Sequence, residues 1–418
     1  MNASIEDTTV RERTECSAQI DSGDGRLFGL GTSAAARHIT VLQVLPAMGQ
    51  SGGVERGTVE TAAAIIEAGG RALVASAGGP LEHDLTRAKA QHITLPLDSK
   101  NPLTVWANAH RLAKLIRTEK VDLVHARSRA PAWSAYWAAK KTGRPYLTTF
   151  HGTYGTETWL KRRYNGVMLK GELVIAISSF IAGHIRQHYG VPVRKMRVIH
   201  RGADLRRFDP SQVSAERVIK LARSWRLPDG APVVMLAGRL TRWKGQSVLI
   251  DAMARLGRDN VRCILVGSDQ GRNGYRRELE AQVTRLGLDS IVQIVDHCDD
   301  MPAAYMLTDL VISASIDPEA FGRVIVEGQA MGRPVIATDH GGARELVMVG
   351  RTGWLVPPGD PDELAKALAH ALDMPPVTRQ AMADRGIANV RENFSTNVMT
   401  SKTLDVYEEM LALRPPAR

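Results

Sequence analysis

Residues 315–345 read SIDPEAFGRVIVEGQAMGRPVIATDHGGARE and set Glu319 and Glu327 either side of seven residues, with Phe321-Gly322 between them. In one continuous helix the two carboxylates would stand about 800° of rotation apart and miss a common face by about 80°. Pro318 and Gly322 favour another arrangement, with Glu319 on a loop, a helix from near Arg323, and Glu327 one turn in. The free N–H groups of Gly322, Arg323 and Val324 then point at whatever the loop holds, and a helix start is an anion site. Gly332 stops the helix, residues 334–338 (PVIAT) read as a buried strand, and Gly341-Gly342 turns into the next helix. The result is a βαβ fragment with two carboxylates and an amide nest at one edge. Taken singly, either glutamate is by default a solvated surface acid, so the surrounding pattern has to carry the argument.

Upstream, the run VVMLA at 233–237 leads into Gly238-Arg-Leu-Thr-Arg-Trp-Lys-Gly245. Arg239 and Lys244, five residues apart across a strand-to-helix turn, can converge on one diphosphate, the first as a fork and the second as a point charge. Strands at 263–267 and 291–295 end in Gly267-Ser-Asp and in His297-Cys-Asp-Asp-Met301, loops placed to border a nucleotide base. Cys298 has no partner base in the sequence and reads as a packed residue. Asp360-Pro-Asp-Glu363 is a capped helix start.

These two stretches together resemble the donor-site signature of the family 4 glycosyltransferases. The carriers are E-A-F-G-R-V-I-V-E-G-Q-A-M-G-R-P-V-I-A, H-G-G-A-R-E and G-R-L-x-x-x-K-G. The departures are Ala320, where Gly or Pro is also common, and Gly328-Gln329 in place of Ala-Met. The resemblance implies an α/β chain of GT-B fold, with two Rossmann-like doubly wound parallel-sheet domains facing a central cleft. It implies a retaining transfer from a nucleoside-diphosphate sugar, with Glu319 against the donor sugar, Glu327 on the ribose, and Arg239 and Lys244 on the leaving diphosphate. Phe321, Gly322, Arg323 and Val324 complete the donor-binding set. No metal or other cofactor is expected, since protein cations hold the diphosphate and Asp299-Asp300 lacks D-x-D spacing.

With 418 residues, 44% hydrophobic and 23% charged, the chain suits two domains that each bury a core. Residues 1–37 carry no helical or alternating apolar period and no apolar signal segment, and read as a disordered leader. The three cysteines, Cys16, Cys263 and Cys298, show no metal-ligand spacing and suit a reducing compartment. No apolar run approaches membrane-spanning length, which leaves peripheral contact as the expected form of any membrane association. The expected location is the cytoplasm, with attachment at the inner face of the cytoplasmic membrane.

Order begins with the strand run 39–45, a glycine-rich turn and a helix to about residue 68, the first half of a Rossmann-like unit. The turn is not G-x-G-x-x-G; Gly52-Gly53 resembles the family's loop beneath the donor phosphates. Further strands are expected at 72–76, 92–95, 121–125, 146–150 and 173–177, with helices at 103–117 and 132–141 between them. Alternation with short connections means a parallel sheet covered on both faces. His151-Gly152 follows one strand in a T-x-H-G pattern that resembles the family's active-site histidine, expected to orient donor sugar or acceptor hydroxyl. The catalytic set is therefore Glu319, His151, Arg239 and Lys244, with Gly52 and Gly53 joining the donor site.

Residues 199–210 resemble I-x-N-G-V-D-x-x-x-F-x-P, with Arg201 where Asn is usual; the turn calls for Gly202, and residue 201 reads as negotiable. A helix at 213–224 and a loop at 226–232 connect the domains. The expected division is 38–227 for the acceptor-side domain, 228–395 for the nucleotide-sugar domain, and 396–418 for a terminal helix that crosses back to the first domain.

Charge is uneven. Residues 101–225 carry 23 Lys and Arg against 7 Asp and Glu, a net of +16, whereas residues 226–418 carry 22 against 25, a net of −3. A basic first domain suits an anionic membrane surface or an acidic saccharide acceptor. Nucleic acid is disfavoured, since aromatics make up 5% of the chain and no RNP, KH or zinc pattern occurs. A glycolipid or polysaccharide acceptor follows from the resemblance, whose wording lies nearest to transferases of lipopolysaccharide cores and surface polysaccharides. The competing readings are a non-catalytic nucleotide-sugar-binding scaffold and a GT-B nucleotide-sugar epimerase.

Overall fold

The computed structural model describes residues 39–49, 53–155, 157–271 and 273–413. The leader at 1–37 and Gly52 lie outside the described residues. The first half builds β1 (Thr40–Val44), α1 (Gly53–Glu67), β2 (Arg71–Ser76), α2 (Glu82–Arg87), β3 (Gln91–Thr94), α3 (Pro102–Thr118), β4 (Leu123–Ala126), α4 (Arg129–Thr142), β5 (Tyr146–Phe150), α5 (Trp159–Asn165), β6 (Leu173–Ala176), α6 (Ser179–Tyr189) and β7 (Met196–Val198). Its strands form one parallel sheet in the order β3-β2-β1-β4-β5-β6-β7, with Val41 opposite both Ala72 and Leu123.

The second half runs through α7 (Ala215–Ser224), β8 (Val233–Ala237), α8 (Gln246–Leu256), β9 (Arg262–Val266), α9 (Asn273–Arg285), β10 (Val292–Val295), α10 (Met301–Leu307), β11 (Leu310–Ser313), α11 (Arg323–Ala330), β12 (Val335–Thr338), α12 (Ala343–Leu346), β13 (Gly353–Val356), α13 (Pro361–Leu372), α14 (Pro376–Asn393) and α15 (Thr396–Leu413). Its sheet is also parallel, ordered β10-β9-β8-β11-β12-β13. Every residue of β1, β8, β11 and β12 is buried, as strands covered on both faces must be.

Both sheets reverse direction at one point, between β1 and β4 in the first and between β8 and β11 in the second. Crevices open beyond the carboxyl ends of the strands at such reversals, because the two flanking connections leave on opposite faces. The reversal in the second sheet carries residues 238–245 on one side and 314–322 on the other. Thus the fold alone brings the two donor-site stretches together.

The sequence reading passes over β7, β11 and β13, which are three or four residues long. Helix α15 lies on the first sheet: its Met399, Val406, Tyr407 and Met410 share a buried cluster with Val41, Leu45, Ile65, Leu123 and Leu147. The buried imidazole of His125, on β4, hydrogen-bonds the Tyr407 hydroxyl through Nδ1 at 2.7 Å and Thr149 through Nε2 at 2.7 Å. Arg197 pairs with Glu409.

Candidate active site

Helix α11 starts at Arg323, preceded by Gly322 with φ of 109°. Glu319 lies on the loop before it, and its Oε1 accepts hydrogen bonds from Lys244 Nζ at 2.6 Å and from Ser315 Oγ. Lys244 reaches it from across the sheet reversal and lies over the Trp243 ring, 4.5 Å from its centroid. The approach depends on two glycines in left-handed conformations. Gly245, at φ +72°, would place a Cβ 1.8 Å from the Ala314 carbonyl oxygen, so any side chain there would separate the two loops. Gly341, at φ +60°, would place one 2.5 Å from the Glu319 carbonyl oxygen. The neighbouring Gly342 N–H donates to that same oxygen at 2.8 Å. The H-G-G turn is therefore the bed on which the Glu319 loop rests, further tied by His340 Nε2 donating to the Ser315 carbonyl at 2.8 Å.

Glu327 sits one turn into α11 and is buried. Arg323 Nη2 donates to its Oε1 at 2.7 Å and the Tyr305 hydroxyl to its Oε2 at 3.0 Å. Burial and the adjacent carboxylate push the Tyr305 phenol well above its ordinary range, so it stays a donor. The first-turn amides of Arg323 and Val324 have no acceptor in the helix and face forward from its start. Arg239 is exposed and makes no ion pair among the described residues. The Phe321 ring, by contrast, is buried against His200 and Phe394, at ring-centroid distances of 6.2 and 6.3 Å. Its side chain is a packing group, and the part of Phe321 left for a ligand is its backbone.

His151 follows β5 in the first domain. Its Nδ1 lies 3.2 Å from Arg201 Nη1, and its Nε2 is buried without a hydrogen-bond partner among the described residues. Burial, then the Arg201 and Arg127 charges, hold this imidazole well below its ordinary pKa, against a weaker opposite pull from the Arg127 carbonyl. Arg201 also donates through Nη2 to the carbonyl of Gly53, the first residue of α1. Residue 201 is thus not the negotiable position that the sequence suggests. Gly202 is demanded for another reason than turn geometry: a Cβ there would sit 2.4 Å from the Thr396 backbone nitrogen, where α15 begins.

A cavity of about 640 Å³ opens beside this cluster, walled by Arg56 and Glu60 of α1, by Arg201 and Arg207, and by Arg323 and Glu327 of α11. Glu319, Lys244 and His151 lie outside its walls. Burial raises the Glu60 carboxyl, with Arg201 and Arg323 opposing. The loop at 297–300 borders the same side, where Arg207 donates to the Asp299 carbonyl at 3.2 Å. Asp300 caps α10 and is held by Arg217 at 2.6 and 2.9 Å. Burial raises the Cys298 thiol, in keeping with a packed residue.

Sequence reasoning missed a clasp between the domains. Glu345 of α12 accepts hydrogen bonds from the Ser179 and Phe180 amides of α6 and from His200 Nε2, each at 2.7 Å. Ser178 Oγ donates to the Ala320 carbonyl at 2.6 Å. The signal was present only as a helix start, Ser178-Ser179, whose capping carboxylate lies 166 residues away in sequence.

Known proteins bear on these features directly. Residues 51–207 match the family described as Glycosyltransferase Family 4, and residues 219–389 match Glycosyl transferases group 1. A glycosyltransferase structure from Rickettsia africae superposes with a TM-score of 0.84 at 38% identity, covering 91% of this chain and all of that one. Anabaena HepE, solved in complex with UDP and glucose, gives 0.77 at 28% identity over 89% of this chain and all of its own. The D-inositol 3-phosphate glycosyltransferase of Salinispora tropica is 30% identical over 329 residues, which is 72% of this chain and 67% of that protein. With both sheets in Rossmann order and both signature stretches joined at the second reversal, the chain belongs to the family 4, group 1 glycosyltransferases of GT-B fold.

Proposed function

We propose that this glycosyltransferase moves a sugar, with retention and without a metal, from a nucleoside-diphosphate sugar to a glycolipid or polysaccharide acceptor of the lipopolysaccharide-core or surface-polysaccharide class. The observation that carries the donor reading is the Lys244–Glu319 contact of 2.6 Å at the sheet reversal, beside the start of α11. Lys244, Arg239 and the α11 amides would stabilise negative charge on the departing diphosphate, which is the largest single contribution such a site can make. Glu319 Oε2, which takes no hydrogen bond among the described residues, would accept from a donor-sugar hydroxyl. Glu327, positioned by Tyr305 and Arg323, would take the ribose hydroxyls. His151 Nε2 would meet the sugar or the acceptor hydroxyl. Metal independence is supported by the engagement of Asp300 as a helix cap paired with Arg217; full activity in a chelator is the expected result. A UDP-linked donor is the first to test, given the ligand of HepE.

The basic first domain supports docking on anionic lipid. Trp106, Trp159 and Leu160 are 61%, 68% and 60% exposed, and Lys161, Arg162 and Arg163 follow directly on α5. Amphipathic aromatics beside cations suit a membrane interface. Binding to anionic vesicles should weaken with salt. A second acceptor reading, a soluble phosphorylated polyol, is favoured by the name of the Salinispora relative and by the same basic charge.

The deciding experiment measures thermal shifts against nucleoside diphosphates and their sugars, then transfer to glycolipid extracts and to inositol phosphate. A rise in Tm with one nucleotide identifies the donor base. No shift at saturating concentrations would sink the donor-site reading. Transfer to inositol phosphate alone would replace the glycolipid acceptor.

A further inference from the structure

Arg201 leaves the first sheet just beyond β7, and the hydrogen bonds of its guanidinium go to first-domain groups. It lies along one face of the opening turns of α1. There Nη2 donates to the Gly53 carbonyl; Gly57 leaves room, since a Cβ would stand 2.9 Å from Nη2; and Glu60 is the carboxylate that most supports its charge, against Arg127 and Arg323. Burial draws the guanidinium down to about 10, so it stays charged at neutral pH. Its other nitrogen, Nη1, is 3.2 Å from His151 Nδ1.

A guanidinium has donors and no acceptor. The nitrogen that faces it must therefore present a lone pair, which leaves the single proton of a neutral imidazole on Nε2. That Nε2 is buried and unpartnered among the described residues. Most groups around the ring act in the same direction: the Arg127 guanidinium beyond β4 is a second cation, His125 is buried and neutral, and the His151 backbone N–H is taken by the Tyr154 hydroxyl at 3.3 Å, while the Arg127 carbonyl is the weaker group that favours the protonated ring. A doubly protonated ring would face two guanidinium groups at once.

We propose that Arg201 is a positioning residue, which holds His151 as the neutral Nε2–H tautomer and ties that orientation to the start of α1. The Nε2–H then serves as a fixed donor to an oxygen of the sugar or of the acceptor. The use of that donor rests on the reading of His151 given above; the tautomer itself does not.

The test uses the full chain labelled with ¹⁵N-histidine. In the unaltered protein, His151 should show protonated Nε2 and unprotonated Nδ1 from pH 6 to pH 9. Arg201→Asn, which installs the residue usual in the family and is too short to reach the ring, should give a mixed tautomer and a His151 pKa that rises toward its ordinary value. The acid limb of kcat should move up with it. At neutral pH, kcat should fall about 10-fold or more while donor KM changes little, as expected when a fixed donor is lost. Arg201→Lys should restore the tautomer in part. Should Arg201→Asn fold poorly, Gly57→Ala crowds Nη2 of both Arg201 and Arg127, at 2.9 and 3.0 Å, and should move the tautomer the same way by less. An Nδ1–H tautomer in the unaltered protein, or an unchanged tautomer in both Arg201→Asn and Gly57→Ala, overturns the proposal. A shifted tautomer upholds it even if His151→Ala leaves kcat unchanged, a result that would instead remove His151 from the reaction.

Discussion

The two domains organise their candidate functional groups around different partners. In the second, the candidate site is held mainly by neighbours within the two signature stretches, Lys244 on Glu319, Gly342 on the Glu319 carbonyl and Arg323 on Glu327, with Tyr305 added from α10. In the first, His151 is held by Arg201, fifty residues on, and the sheet beneath it is closed by Tyr407, 282 residues from its partner His125. Both arrangements join residues far apart in the chain, 75 residues for Lys244–Glu319 and 50 for His151–Arg201; the difference is that the second-domain groups meet at one sheet reversal, whereas the first-domain sheet also depends on the terminal helix.

The contrast can be broken most directly at Lys244. Lys244→Ala should cut turnover by about 10²-fold or more, because on the proposed reading it removes the cation that meets the diphosphate, and it leaves Glu319 Oε1 with Ser315 alone. Rates near those of the unaltered enzyme would mean that the local cluster is structural. On the first-domain side, Tyr407→Phe should leave a buried His125 nitrogen unpaired and cost about 2 kcal/mol of stability, read as a lower urea midpoint with kcat little changed. A loss of activity without a loss of stability would show that α15 serves the chemistry.

Glu327→Ala should raise donor KM by about 10-fold, an effect of about 1.4 kcal/mol on binding, with a smaller change in kcat; an unchanged KM argues against the ribose contact. The smallest effect is expected at the clasp. Burial works to raise the Glu345 carboxyl, but His200 and the Ser179 and Phe180 amides outweigh it and hold its pKa below the ordinary value of 4.5. A lowered carboxylate stabilises the fold fully above that value and loses its contribution as pH falls through the lowered one. Glu345→Gln should therefore reduce stability by about 1 kcal/mol at neutral pH, with the difference in Tm closing on acidification below pH 4. A difference that persists there would mean that packing, not charge, holds the domains.

Much of this was legible in the amino-acid order. Alternating strands and helices required parallel sheets. Pro318, Gly322 and Gly332 placed the start and the end of α11, and the spacing of Arg239 and Lys244 suggested their shared ligand. Local conformational preference and hydrophobic period act over a few residues, and so they can be read from a few residues. What only the tertiary structure decided were contacts between residues far apart in sequence: that Phe321 packs inward, that Gly202 makes room for α15, that Glu345 caps a helix in the other domain, and that Arg201 grips His151 and the start of α1. Each of those depends on where two distant backbones come to rest, which is set by how the two sheets and the last helix pack against one another, and no local preference encodes it.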